Sequence, residues 1–359
     1  MNDRERFVAT LCFEKADRAP FIPLFGPWGT ALERWRKEGL GRDQDWRQPF
    51  GFDKQWAHPP VNLGYCPAFK EEVLEDLGDA LIHRDAKGIV KKDKKDRSSM
   101  PKFLSYPVKD RDDWELLKAE RLDPDDPARF PPNWAQLVKD YARRDYPLVI
   151  GWFPYGLFGT PRDMMGAEEL LMAFHTDPTL VKDIMTYLTD FWIKLWGKVL
   201  DSVDVDAAHI WEDMASRNGS LISPAMFRKF MLPCYRKITR YVKRRGVRIV
   251  TVDSDGDCRE LAPLFMEGGV TGVWPFEVQA GNDVREYRQR HPRLAMLGGL
   301  DKRAMAAGKA AIDQELAKVP DMLKHGGYVP APDHLIPHDV SWDNYSYFNF
   351  RLKELIGKK

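Results

Sequence analysis

From Pro147 onward the chain alternates short apolar runs with longer helical patterns, and this alternation limits the fold more than any other feature. The apolar runs are Pro147–Phe153, Asp206–Trp211, Val247–Val252, Gly272–Phe276, Leu294–Leu297 and Gly327–Val329. Helical patterns fall between them at Ala167–Thr176, Pro178–Val199, Pro224–Arg245, Asp257–Glu267, Asp283–Arg290 and Lys302–Lys324, with a last one at Trp342–Ile356. Strands that alternate with helices of this length form βαβ units and a parallel sheet. Right-handed crossovers repeated this often predict a closed (β/α)₈ barrel, with an open doubly wound sheet as the alternative. No GxGxxG follows an early strand, which disfavours a dinucleotide-binding fold.

The first third is less regular. Arg4–Glu14 reads as a helix that packs on the barrel through Phe7, Val8, Leu11 and Phe13. Pro20–Phe25 reads as a buried strand closed by the Gly26-Pro27 turn, and Ala31–Lys37 as a second helix. The loop Gly26–Thr30 is expected to cross the barrel mouth and place Trp28 over a ligand. Within Glu71–Lys92, three alternating segments predict a small antiparallel insertion: Glu72–Glu75, Ala80–His83 and Gly88–Val90. The Lys-rich run Lys91–Arg97 reads as a solvated hairpin or loop. Barrels of this length run as one domain, so residues 1–359 are taken as a single unit with an N-terminal helical extension and a small β insertion.

Composition excludes several classes of function. Net charge is +1, whereas a nucleic-acid protein would carry a strong basic excess. No run is long enough to span a bilayer and no apolar signal core is seen, so the expected location is the cytoplasm. Cys12, Cys66, Cys234 and Cys258 form no CxxC pair, which argues against a disulfide framework and a cysteine-only zinc site.

Polar residues at the C-terminal ends of barrel strands are the usual catalytic positions. Here the strand ends carry His209, Glu212 and Asp213, then Asp253-Ser254-Asp255-Gly256-Asp257, then Glu277, then Asp333-His334. Converging carboxylates are costly unless they are paired, hydrated or bound to a metal. Asp257 reads more simply as a helix cap, and Gly326-Gly327 as a helix stop. The Gly298-Gly299 pair suggests a tight turn or a close approach of backbone to a ligand.

The segment from Asp253 to Tyr345 resembles the uroporphyrinogen decarboxylase superfamily. The matching strings are Asp253–Asp257, Pro275–Gly281, Gly298–Lys302, Gly326–His334 and Val340–Tyr345, and the opening Asn2–Phe7 with Lys15–Pro20 also looks like that superfamily's start. The resemblance implies either cofactor-free decarboxylation of a porphyrinogen or methyl transfer involving a corrinoid protein. Decarboxylases of the family grip the substrate carboxylates with an arginine-rich N-terminal loop, and this chain has Phe25-Gly26-Pro27-Trp28-Gly29-Thr30 there.

Related zinc methyltransferases carry a His-x-Cys pair and a later Cys. Asp253-x-Asp255 and His334 stand at those places, and Glu277 falls between them much as a Glu does in cobalamin-independent methionine synthase. The expected metal ligands are therefore Asp253, Asp255, Glu277 and His334, with zinc first and manganese or iron also acceptable. Asp255, Glu277 and His334 are the expected catalytic groups. Trp28, Trp152, Tyr155, His209, Glu212 and Trp274 are the expected substrate-binding groups. The implied activity is methyl transfer from a small methylated compound, such as a methoxy-aromatic, with a corrinoid protein as partner and a homodimer admitted. The alternatives are a decarboxylase of a porphyrinogen or related acid, and a non-catalytic ligand- or corrinoid-binding barrel.

Overall fold

The computed structural model describes residues 1–96 and 101–358; Arg97, the end of the Lys-rich run, lies outside them. Six parallel strands form the main sheet. They are β5 (Val149–Ile150), β6 (Ala207–Trp211), β9 (Ile249–Asp253), β10 (Gly272–Trp274), β11 (Ala295–Leu300) and β12 (Tyr328–Pro332), in the order β12-β11-β10-β9-β6-β5. Between β6 and β9 lies a two-stranded antiparallel hairpin, β7 (Ala215–Ser216) with β8 (Gly219–Ser220).

Two extended segments supply the remaining staves of the (β/α)₈ barrel. The Ala57 N–H donates to the Pro147 carbonyl and the Val149 N–H to the Ala57 carbonyl, each at 2.9 Å, which continues the ring past β5. The Asp53 N–H then donates to the Phe21 carbonyl at 2.8 Å. On the other side Pro27 bridges Ile336 beyond the end of β12. The expected strand at Pro20–Phe25 is thus buried and extended but lacks a regular ladder. Pro20 and Pro23 have no N–H to donate, which removes the bonds a ladder needs.

The barrel interior is filled by Ile22, Leu24, Val149, Ala207, Ile249, Ala295, Leu297, Val329 and Ala331. Its N-terminal end is plugged by α1 (Asp3–Leu11), whose Phe7 and Leu11 join the same cluster. Asn2 starts α1 with a capping box: its side chain accepts from the Glu5 N–H, and Glu5 accepts from the Asn2 N–H. Arg4 Nε binds Asp206 at 2.7 Å, one residue before β6, where Asp206 also accepts from the Leu148 N–H at 2.8 Å and from Arg144 at 2.9 Å. Arg248, just before β9, pairs with Glu14. Phe13 sits against Gly327, where a Cβ would come within 2.2 Å of its ring. All these contacts lie at strand starts, so the plug closes the end opposite the strand C-termini.

The insertion is larger than the alternating segments implied. It has four antiparallel strands, β1 (Glu72–Asp76), β2 (Ala80–Arg84), β3 (Val90–Lys94) and β4 (Lys102–Ser105), so most of the Lys-rich run is strand. The stretch Pro224–Arg245 is not one uniform helix. A π-helical turn at Phe227–Met231 separates Pro224–Met226 from Leu232–Arg244, because Pro233 cannot donate back to the preceding turn. Lys302–Lys324 divides into three helices, the first break falling at Gly308 with φ 105°.

Truncating the plug should be costly. Phe7→Ala is expected to lower stability by about 3 kcal/mol, read as a lower urea midpoint with an unchanged slope. An unchanged midpoint would mean that α1 is not part of the core.

Candidate active site

The loops after β6, β9, β10 and β12 leave the barrel at one end, and five of the strand-end acids and one histidine meet there. Asp255, Glu277 and His334 each offer a donor atom within 4.8 Å of the others. His334 Nε2 lies 3.2 Å from Asp255 Oδ2. Glu277 Oε2 accepts from the Gly256 N–H at 3.0 Å, and Glu277 Oε1 faces Lys302 Nζ at 3.3 Å. Gly256 is required here: its φ is 76°, and a Cβ would strike the Ala215 carbonyl at 2.6 Å.

Asp333 anchors two of the loops. It is fully buried and accepts from the Val278 N–H at 2.8 Å and the Lys302 N–H at 3.1 Å. Burial pushes its carboxyl up, against Lys302 and the two donors. His334, the next residue, stacks on Phe25 at 5.0 Å and 23°. Burial opposes a charge on His334, but the hydrogen bond and charge of Asp255, with Glu277 behind, outweigh it and raise the imidazole pKa above its ordinary 6.5.

Asp253, the fourth expected ligand, stands outside the three-residue group. Its side chain has no hydrogen-bond partner among the described residues, while its backbone carbonyl accepts from the Glu212 N–H at 2.8 Å. Burial first, then the charges of Asp255, Asp213 and Glu277, hold its carboxyl well above the usual range. Asp213 belongs to the same group. It has φ 44°, accepts from Arg162 at 2.8 Å, and its pKa is raised by burial and by Asp255 against the pull of Arg162.

The expected substrate-binding residues divide. Trp152 and Trp274 stack at 5.5 Å and 29°, and His209 packs against them at 4.9 and 5.1 Å. Phe25 joins this group to His334 through Trp274, at 5.6 Å. His209 Nδ1 meets Thr251 Oγ1 at 2.9 Å, its Nε2 has no partner, and burial holds the ring neutral. Trp28 lies in the Gly26–Thr30 loop at the mouth and is 50% exposed.

Glu212 and Tyr155 lie elsewhere. Glu212 is 0% exposed and faces backbone. It accepts from the N–H groups of Leu157, Phe158 and Gly159 and from the Tyr235 hydroxyl, and burial pushes it up to about 7 against those four donors. It ties β6 to the helix Gly159–Met165 instead of contacting a ligand in the mouth. Tyr155 lines a separate cavity.

Lys302, Asp213, Arg162, Asp333 and Phe25 are members of the site beyond those singled out as ligand-binding. Asp213 and Asp333 stand among the strand-end acids of the sequence, Lys302 closes the string Gly298–Lys302, and Phe25 opens the loop that leads to Trp28. Nothing near Arg162 in the sequence marks it.

The profile of the Uroporphyrinogen decarboxylase (URO-D) family matches residues 79–354. The chain belongs to the uroporphyrinogen decarboxylase family. It is similar in fold to a methyltransferase from Methanosarcina mazei, with TM-score 0.63 and 16% identity over 99% of both chains. A Listeria monocytogenes protein assigned as a vitamin-B12-independent methionine synthase aligns at TM-score 0.34 and 11% identity, over 61% of this chain and 68% of that one, too distantly to carry an argument. No curated protein matches the sequence. Among the described residues of this family member, no helix is long and apolar enough to cross a membrane.

The His334–Asp255 pair sets a pH dependence. In metal-free protein an NMR titration should place the His334 midpoint above 6.5. Asp255→Asn should bring it below 6.5, because burial remains while the partner's charge is gone. The pair's stabilisation is fully present below pH 6.5 and is lost as pH rises through the raised midpoint. An Asp255→Asn midpoint unchanged from the parent would disprove the pairing.

Proposed function

We propose that this protein is a corrinoid-dependent methyltransferase acting on a small methylated compound, a methoxy-aromatic being the class that best suits the site, with the corrinoid carried by a partner protein. The observation that carries this reading is the meeting of Asp255, Glu277 and His334 within 4.8 Å, beside the aromatic group Phe25, Trp274 and Trp152.

Two oxygen donors and one imidazole nitrogen suit a borderline or hard divalent ion such as zinc, manganese or iron, and leave further coordination positions open. Such an ion, held by Asp255, Glu277 and His334, would supply Lewis-acid activation at a substrate oxygen. The protein's own groups do the rest. Trp28, 50% exposed at the mouth, offers a ring face for an aromatic substrate, and Trp152 lies partly exposed beside the buried Trp274. Asp253, whose carboxyl pKa is raised by burial and by the charges of Asp255, Asp213 and Glu277, is the group beside the donor cluster that could give a proton to a departing phenolate oxygen. Asp333 fixes the loops that carry Glu277, Lys302 and His334.

Charge argues against the decarboxylase alternative. The mouth holds the carboxyl groups of Asp213, Asp253, Asp255, Glu277 and Asp333. Arg162 and Lys302, the cations that reach these carboxylates among the described residues, are already engaged, Arg162 with Asp213 and Lys302 with Glu277. A substrate with several carboxylates needs free cationic partners, and the Gly26–Thr30 loop supplies none.

Metal analysis followed by assay with a methylated corrinoid protein tests the reading. Asp255→Ala and Glu277→Gln should each lose bound divalent metal and at least a hundredfold of methyl transfer, with circular dichroism unchanged. Full activity in chelator-treated, metal-free protein would end the metal assignment, and turnover of a porphyrinogen would favour the alternative. Trp28→Ala should raise KM about fivefold, the worth of one aromatic contact, while stability moves by no more than about 0.5 kcal/mol. Loss of stability with unchanged KM would make Trp28 a packing residue.

A further inference from the structure

A cavity of about 220 Å³ lies away from the donor cluster, where the turn joining β2 to β3 meets the segment Asn62–Tyr65 and the loop after β5. None of Asp253, Asp255, Glu277 and His334 lines it. Its walls are mainly apolar, with Leu63, Met164 and Leu188 among them. Lys87 and Asp163 also line it, but they neutralise each other in an ion pair of 2.5 Å. The hydroxyls of Tyr65 and Tyr155 have no hydrogen-bond partner among the described residues, although both side chains line the space. Burial raises both phenol pKa values, so each remains a neutral donor. Gly64 keeps the space open, since a Cβ there would come within 2.9 Å of the Tyr155 hydroxyl.

Size and polarity together narrow the occupant. An apolar cavity of about 150 Å³ holds benzene, so this one has room for a single ring with a substituent. A charged molecule would exchange hydration for apolar walls and an ion pair already satisfied. An apolar body with one oxygen would cover the walls and give the phenols a partner.

We propose that this cavity is a second ligand site, for an uncharged single-ring molecule bearing a hydroxyl or ether oxygen that pairs with Tyr65 and Tyr155. The site stands independently of the methyltransferase reading. It also shares an element with the mouth: the helix Gly159–Met165 brings Asp163 and Met164 to the cavity and Arg162 to Asp213.

Phenol and toluene are the probes, because they differ by a hydroxyl in place of a methyl. In the full chain labelled with ¹³C-methyl methionine, phenol should shift the Met164 resonance saturably, with Met164→Leu providing the assignment. Tyr65→Phe and Tyr155→Phe should each weaken phenol about fivefold, the worth of one net hydrogen bond, and leave toluene unchanged. Glu277→Gln, which disables the donor cluster, should leave phenol binding intact, so a failed methyltransferase assay and a failed cavity are told apart. The proposal is overturned if the Met164 shift does not saturate. It is equally overturned if phenol and toluene respond alike to the tyrosine variants, or if Glu277→Gln abolishes phenol binding.

Discussion

Repulsion among carboxyl groups at one end of the barrel governs how the rest of the mouth is built. Parallel strands that all finish at the same rim bring their terminal acids together whether or not those acids attract. The chain relieves the crowding in three ways. Lys302 and Arg162 offset two of the charges, backbone N–H groups of Gly256, Val278 and Lys302 hold two carboxylates in place, and the burial of Asp253 raises its pKa and disfavours a further charge. What remains is the group Asp255, Glu277 and His334, where an added cation would meet two oxygens and a nitrogen already close to one another.

Belonging to the uroporphyrinogen decarboxylase family fixes the scaffold, and the differences at the mouth separate the chemistries it can host. In this chain the Gly26–Thr30 loop carries no arginine and has Trp28 at its centre. Among the described residues Arg162 and Lys302 are already paired with carboxylates, and tryptophan, phenylalanine and histidine rings pack beside the donor cluster.

The strand–helix rhythm after Pro147 was legible in the sequence because each stave there is a short apolar run between helices. Pro20–Phe25 was legible as a buried strand but its irregular pairing was not, and the stretch ending at Ala57 was not, since prolines and side-chain bonds replace the regular ladder there. At the site, strand-end position was enough to bring Asp255, Glu277 and His334 together. It was not enough for Glu212, which ends a strand like the others but turns toward the free N–H groups of Leu157, Phe158 and Gly159. Side-chain direction after the last strand residue depends on the following loop, and residue spacing does not record it. The Tyr155 ring turns to a space that the neighbouring loops create. Arg162 reached the mouth from a helix, which strand-end reasoning does not survey.

The helix that seals the barrel's lower end makes the interior a blind alley. With Phe7 and Leu11 packed beneath Ile22, Val149 and Val329, nothing passes through the centre of the barrel. Every molecule that visits the rim must arrive and depart by the same door. Such a vessel imposes a sequence on its visitors: anything small must already be inside before anything large comes to rest across the opening.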